Sequence, residues 1–124
     1  MKNFKILTEF IKDVSSETKD IQTYLFVKDY ISKYQLTIDI NSQPTKNKLI
    51  EISTTLKFED KEDNKKKSYF ELVYVSIVKL DESVTEKKKV EKIILCEVQK
   101  EIQPKIEKAF TDLINNSGFK QVTI

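Results

Sequence analysis

The side chains able to carry covalent or acid–base chemistry are few in kind. The 124 residues include 22 lysines and 20 carboxylates, with one Cys, one Gly and neither His nor Arg. Without imidazole there is no ordinary base for a Ser or Cys nucleophile, and no His to ligate a metal. One thiol, Cys96, can build neither an internal disulfide nor a structural zinc site. With no acid–base partner to name, it reads as a reduced, packed residue. The single glycine, Gly118, excludes a glycine-rich phosphate loop. The lack of Arg removes the bidentate fork that reads guanine edges. No catalytic residue, cofactor or metal is expected, and a binding module remains.

Charge narrows the partner. The net charge is +2, mixed along the chain, so no basic stripe points to nucleic acid. The runs Lys65, Lys66, Lys67 and Lys87, Lys88, Lys89 read as solvated surface. A composition 39% hydrophobic and 34% charged fits a soluble folded chain rather than a disordered one. No apolar run approaches the roughly 18 residues of a membrane helix. The N-terminal stretch is interrupted by Lys5 and Glu9, unlike a signal peptide. These features predict one domain over 1–124, in the cytoplasm, without membrane insertion.

The elements that would present a binding surface follow from periodicity. Phe4 to Val14 is ambiguous, since its apolar residues suit a helix or a strand covered on both sides. Tyr34, Leu36, Ile38 and Ile40 alternate with polar residues, which predicts a half-buried strand ending in a turn at Asn41 to Pro44. Ile50, Ile52, Leu56 and Phe58 predict a second strand with a polar outer side. Glu59 to Lys67 is a charged hairpin connection, and Tyr69 to Leu80 a strand apolar on both faces, hence covered twice. From Ser83 or Thr85 the period becomes helical: Val90, Ile94, Val98, Ile102 and Ile106 recur every four residues. Pro104 is predicted to kink or split this helix, Gly118 to cap it, and Phe119 to Ile124 to leave as an extended tail. The crossover from Asp20 to Lys33 is unusual, because Tyr24, Leu25, Phe26, Val27, Tyr30 and Ile31 are too apolar for a solvated connection. They either cap the core or line a groove for an extended apolar segment of another protein.

Several strings, in order, resemble the SecB family of bacterial export chaperones. They are Ile11-Lys12-Asp13-Val14-Ser15 with Glu17, the crossover Phe26-Val27-Lys28-Asp29-Tyr30, the strand start Tyr69-Phe70-Glu71, and Pro104 ahead of Gly118-Phe119. The resemblance covers Lys12 to Ile124. It implies an α+β fold, a four-stranded antiparallel sheet packed on a long helix, with the first segment as strand one. It also implies a homotetramer, a dimer of dimers in which Val90, Ile94, Val98 and Ile102 would be shared between core and subunit interface. Leu25, Phe26, Val27, Tyr30, Tyr34 and Leu36 would line a groove for unfolded preproteins. Asp13, Glu17 and Glu71 would face the SecA motor. The chain ends before the family's second C-terminal helix, which would leave one side of that groove open. The implied activity is an ATP-independent holdase for preproteins exported through SecA. A SecB-like chaperone dedicated to one client, such as an antitoxin, and a protein-interaction domain without chaperone work stay open as alternatives.

Overall fold

Four antiparallel strands are laid side by side in the order β1-β4-β3-β2, so the first and second strands in sequence occupy opposite edges. The structure, a computed structural model, describes residues 3–45 and 48–122. The strands are β1 (Phe4–Thr18), β2 (Gln35–Pro44), β3 (Leu49–Glu59) and β4 (Ser68–Leu80). The ambiguous first segment is thus a strand. β4 lies inside the sheet between β1 and β3. Phe70, Leu72, Tyr74 and Val78 on its helix side are buried, whereas Val73 and Ile77 on the other face are only partly so, and the expected second cover is not supplied by the described residues.

One face of the sheet carries the core. Phe70, Leu72, Tyr74 and Val78 of β4 lie beside Ile52, Leu56 and Phe58 of β3, and all are buried. The cover is helical throughout: α2 (Lys87–Lys92), a π-helical turn over Ile93–Glu97, and α3 (Val98–Asn116) follow one another with helical backbone angles at each junction. The helix therefore starts slightly later than Ser83 or Thr85, with Glu86 as N-cap. Pro104 does not split it. The segment Val98–Asn116 runs through Pro104 as α-helix, and the register change falls at the π turn instead.

The crossover that looked too apolar for a loop is a helix, α1 (Ile21–Tyr30), followed by a 3-10 turn over Ile31–Lys33. Asp20 caps it by accepting the Thr23 N–H at 2.8 Å, and hydrogen bonding from the Thr23 side chain first and its N–H second holds the Asp20 carboxyl below its ordinary value. Val27 and Ile31 point into the core, while Ile21, Leu25 and Phe26 are exposed.

Two ends differ from expectation. β2 continues through Pro44, and the Thr45 N–H donates to the Leu49 carbonyl at 2.8 Å. Pro44 is tolerated because β2 is an edge strand and the missing N–H at that register points away from β3. The turn then takes Lys48 at φ 62°, since the chain's only glycine is used elsewhere. That glycine ends α3. Gly118 at φ 105° donates to the Asn115 carbonyl at 3.1 Å and Phe119 to the Ile114 carbonyl at 3.2 Å, the paired bonds of a Schellman cap. Phe119 is not an extended exit but a fully buried plug, its ring tilted against Tyr24 and edge-on to Phe70. Residues 123–124 of the predicted tail lie outside the described residues.

Candidate functional site

The helix covers the sheet unevenly. Between β2 and the helix lies an open cavity of about 270 Å³. Its sheet wall is the alternating row Leu36, Ile38 and Ile40 of β2, with Thr54 and Leu56 of β3 behind. Its other wall comes from Leu95 and Ile106 and from three polar side chains, Gln99, Gln103 and Glu107. Leu36, Ile38 and Leu95 are 39%, 45% and 52% exposed, so large apolar side chains line a groove that none of the described residues fills. The polar residues are tied: Gln99 Nε2 donates to Thr54 Oγ1 at 3.2 Å and Gln103 Nε2 to Glu107 Oε1 at 3.1 Å. The one ionisable side chain lining the cavity is Glu107, and no cluster of candidate metal ligands occurs among the described residues. The arrangement can bury apolar side chains and accept hydrogen bonds.

Comparison with known proteins assigns the lineage. The whole chain, residues 1–124, matches the family described as Preprotein translocase subunit SecB. This chain belongs to the SecB family. A relative from Pelagibacter ubique (strain HTCC1062), provisionally named a protein-export protein SecB, is 54% identical over 117 residues, spanning 94% of this chain and 84% of the relative. The fold is also that of a SecB-like chaperone from Mycobacterium tuberculosis, solved in complex with a peptide from an antitoxin. The TM-score is 0.66 at 8% identity, covering 98% of this chain and 89% of that one. The chain is therefore a SecB-family protein-export chaperone rather than an enzyme, with the SecB-like sheet and long helix. Membership of this family implies binding of preprotein clients.

The residues that the SecB resemblance marked for the groove are divided by the structure. Leu36 lies on the cavity, and Leu25 and Phe26 are exposed on α1. Tyr30 is half-buried, with its ring 5.5 Å from Phe26, its hydroxyl donating to Glu62 and Lys33 Nζ 5.2 Å above its ring. Val27 and Tyr34 are core instead. Val27 is on the inward side of α1, and the Tyr34 hydroxyl accepts the Ser68 N–H at 2.9 Å beneath the sheet end. The remaining groove residues were not singled out from the sequence. Leu95 departs from the four-residue apolar repeat, and Gln99, Gln103 and Glu107 form a polar repeat of the same period beside it. That second stripe was the available signal.

Asp13, Glu17 and Glu71 share the face of the sheet away from the helix. Asp13 pairs with Val73, Glu17 with Tyr69 and Ser15 with Glu71, so the three carboxylates lie on neighbouring positions of β1 and β4. The Tyr69 hydroxyl donates to Glu71, and that bond, with partial burial and the charges of Glu71, Glu59 and Asp13, pushes the phenol up to about 12. On the helix side, Glu9 accepts from the Tyr74 hydroxyl at 2.9 Å and from Lys105 Nζ at 2.7 Å, tying β1 to α3. Burial and Glu9 push Tyr74 up to about 12 as well.

Within the single chain, the stripe expected to be shared between core and subunit interface is packed on its own sheet. Val98 and Ile102 are fully buried against their own sheet and Ile94 nearly so, leaving only Val90 partly open. Residues four apart face one way, and this face is taken. A further exposed apolar set is on β1, where Leu7, Phe10, Ile11 and Val14 are each about half exposed. Cys96 is also not packed: it is exposed on the π turn beside Leu95.

Proposed function

We propose that this chain is an ATP-independent holdase that keeps secretory preproteins unfolded by binding extended apolar segments in the β2–helix groove. The carrying observation is the unfilled apolar row Leu36, Ile38 and Leu95 beside the cavity. Leu25, Phe26 and Tyr30 on α1 extend the apolar surface available to a client. Apolar burial has no direction, so such a groove selects segments that are exposed and apolar rather than one sequence. Each Leu- or Phe-sized client side chain buried contributes about 1.5–3 kcal/mol, against an ordering cost of about 2–5 kcal/mol for the segment. One groove binds weakly, and several on one assembly supply avidity.

The assembly proposed is a homotetramer working in the cytoplasm. Its support is the β1 edge, an outer strand with large apolar residues on both faces and register shifts at Leu7 and Lys12. Hand-off to SecA is proposed through Asp13, Glu17 and Glu71. Although the chain is +2 overall, these carboxylates gather on one face of the sheet, where a basic partner would meet local negative charge. Export clients are favoured over a dedicated antitoxin because the 54% identical relative is named for protein export, whereas the antitoxin-bound structure shares only 8% identity.

Light scattering of an aggregating unfolded preprotein tests the reading. Addition of the wild-type chain suppresses aggregation, and Leu36→Ser/Ile38→Ser/Leu95→Ser abolishes the suppression while the thermal transition stays within a few degrees. Full suppression by that variant would refute the groove. Suppression confined to an antitoxin would favour the dedicated chaperone.

A further inference from the structure

The polar wall of the groove has a regularity that apolar binding does not require. Gln99, Gln103 and Glu107 line the cavity at four-residue intervals on one helix. At 1.5 Å per residue they repeat about every 6 Å along the axis. Gln99 spends its Nε2 on Thr54 and Gln103 its Nε2 on Glu107, while Glu107 accepts with Oε1. Each leaves an oxygen over as an acceptor, Gln99 Oε1, Gln103 Oε1 and Glu107 Oε2, and each glutamine keeps one further Nε2–H. Gln99 is the telling member, since it lines the cavity while only 7% exposed.

An extended chain offers the complementary pattern. Its backbone N–H groups on one edge recur every two residues, about 6.7 Å apart. This is close to the helix repeat, so three successive N–H donors can meet three successive acceptors, with intervening side chains turned toward Leu36, Ile38 and Ile40.

Resting on the proposed holdase function, we infer that Gln99, Gln103 and Glu107 form an acceptor rail that reads the backbone of a client in extended conformation. The rail supplies what apolar burial lacks. It discriminates by conformation, because a helical segment has spent its N–H groups internally and presents none to the rail. It remains indifferent to sequence, because every residue except proline carries the donor.

The test is a double-mutant cycle between protein and ligand. An apolar decapeptide is compared with the same peptide bearing amide-to-ester replacements at three alternate positions, which removes one edge of N–H donors. Both are titrated against the wild-type chain and against Gln99→Leu/Gln103→Leu/Glu107→Leu by fluorescence anisotropy. Each lost donor should weaken wild-type binding about three- to tenfold. In the variant the parent peptide should bind as weakly as the ester peptide, with little difference between the two. An ester effect of equal size in the variant, or none in wild type, overturns the rail. Failure of the parent peptide to bind the wild-type chain at all would instead count against the groove itself. A thermal transition within a few degrees of wild type establishes that the variant is folded, and if it is not, single Gln103→Leu, on the exposed turn, carries the same comparison with one donor.

Discussion

Two regions on the helix side of the sheet use similar side chains to opposite ends. Near the end of α3, Tyr24, Phe119 and Phe70 meet ring to ring, with centroids 5.1 Å and 5.7 Å apart, and the Tyr24 hydroxyl donates to the Gly118 carbonyl at 2.7 Å. Between β2 and the helix, Leu36, Ile38 and Leu95 stand around empty space. The first region is closed by α1 and by the C-terminal turn folding back; among the described residues no segment covers the second. The difference teaches that apolar content alone does not say core or groove. What decides is whether another stretch of the same chain arrives to cover it.

The closed region should respond to mutation through stability. Phe119→Ala removes a fully buried ring shared by α1, β4 and the helix cap, and should cost about 3–5 kcal/mol, read by urea unfolding. Gly118→Ala should cost about 2–4 kcal/mol, because φ is 105° and a Cβ would fall 2.6 Å from Tyr24 Cε1. A cost below 1 kcal/mol for either would mean that this end is not closed as described.

The open region should respond through binding. The Leu36→Ser/Ile38→Ser/Leu95→Ser variant should lose client protection while its unfolding free energy falls by no more than about 1 kcal/mol per site, since these side chains are already substantially exposed. A collapse of the fold would move this row from groove to core.

A smaller effect, in pH, probes the rest of the sheet. Tyr69 and Tyr74 titrate near 10.0 when unfolded and are pushed up to about 12 when folded. Below pH 10 both states hold the neutral phenol and the full stabilisation is present. Between pH 10 and 12 the unfolded chain ionises first, so stability is lost as pH rises. Tyr69→Phe/Tyr74→Phe should show a shallower loss over that window by circular dichroism. An unchanged slope would contradict the assignment of the shift to Glu71, Glu9 and burial.

Much of this was legible in the residues. The strands β2 and β3 followed from period-two alternation, the long helix from its four-residue repeat, and the helix end from Gly118. The first strand needed the family resemblance, because apolar residues on both sides of an edge strand mimic a helix. The helix α1 was hidden for a related reason: inward Val27 and Ile31 and outward Leu25 and Phe26 leave no clean period. The groove was legible in part, through Leu36. Its helix wall was masked because the apolar repeat of Val98, Ile102 and Ile106 drew attention to the buried face rather than to the polar stripe beside it.

The central claim is that clients lie against Leu95 and not along the exposed β1 edge. Photo-crosslinking tests it most directly, with benzoylphenylalanine placed at position 95 or at position 11 and an unfolded preprotein as client. The account predicts strong client adducts from position 95, with position 11 yielding adducts between copies of the chain. Client adducts from position 11 with none from position 95 would contradict it.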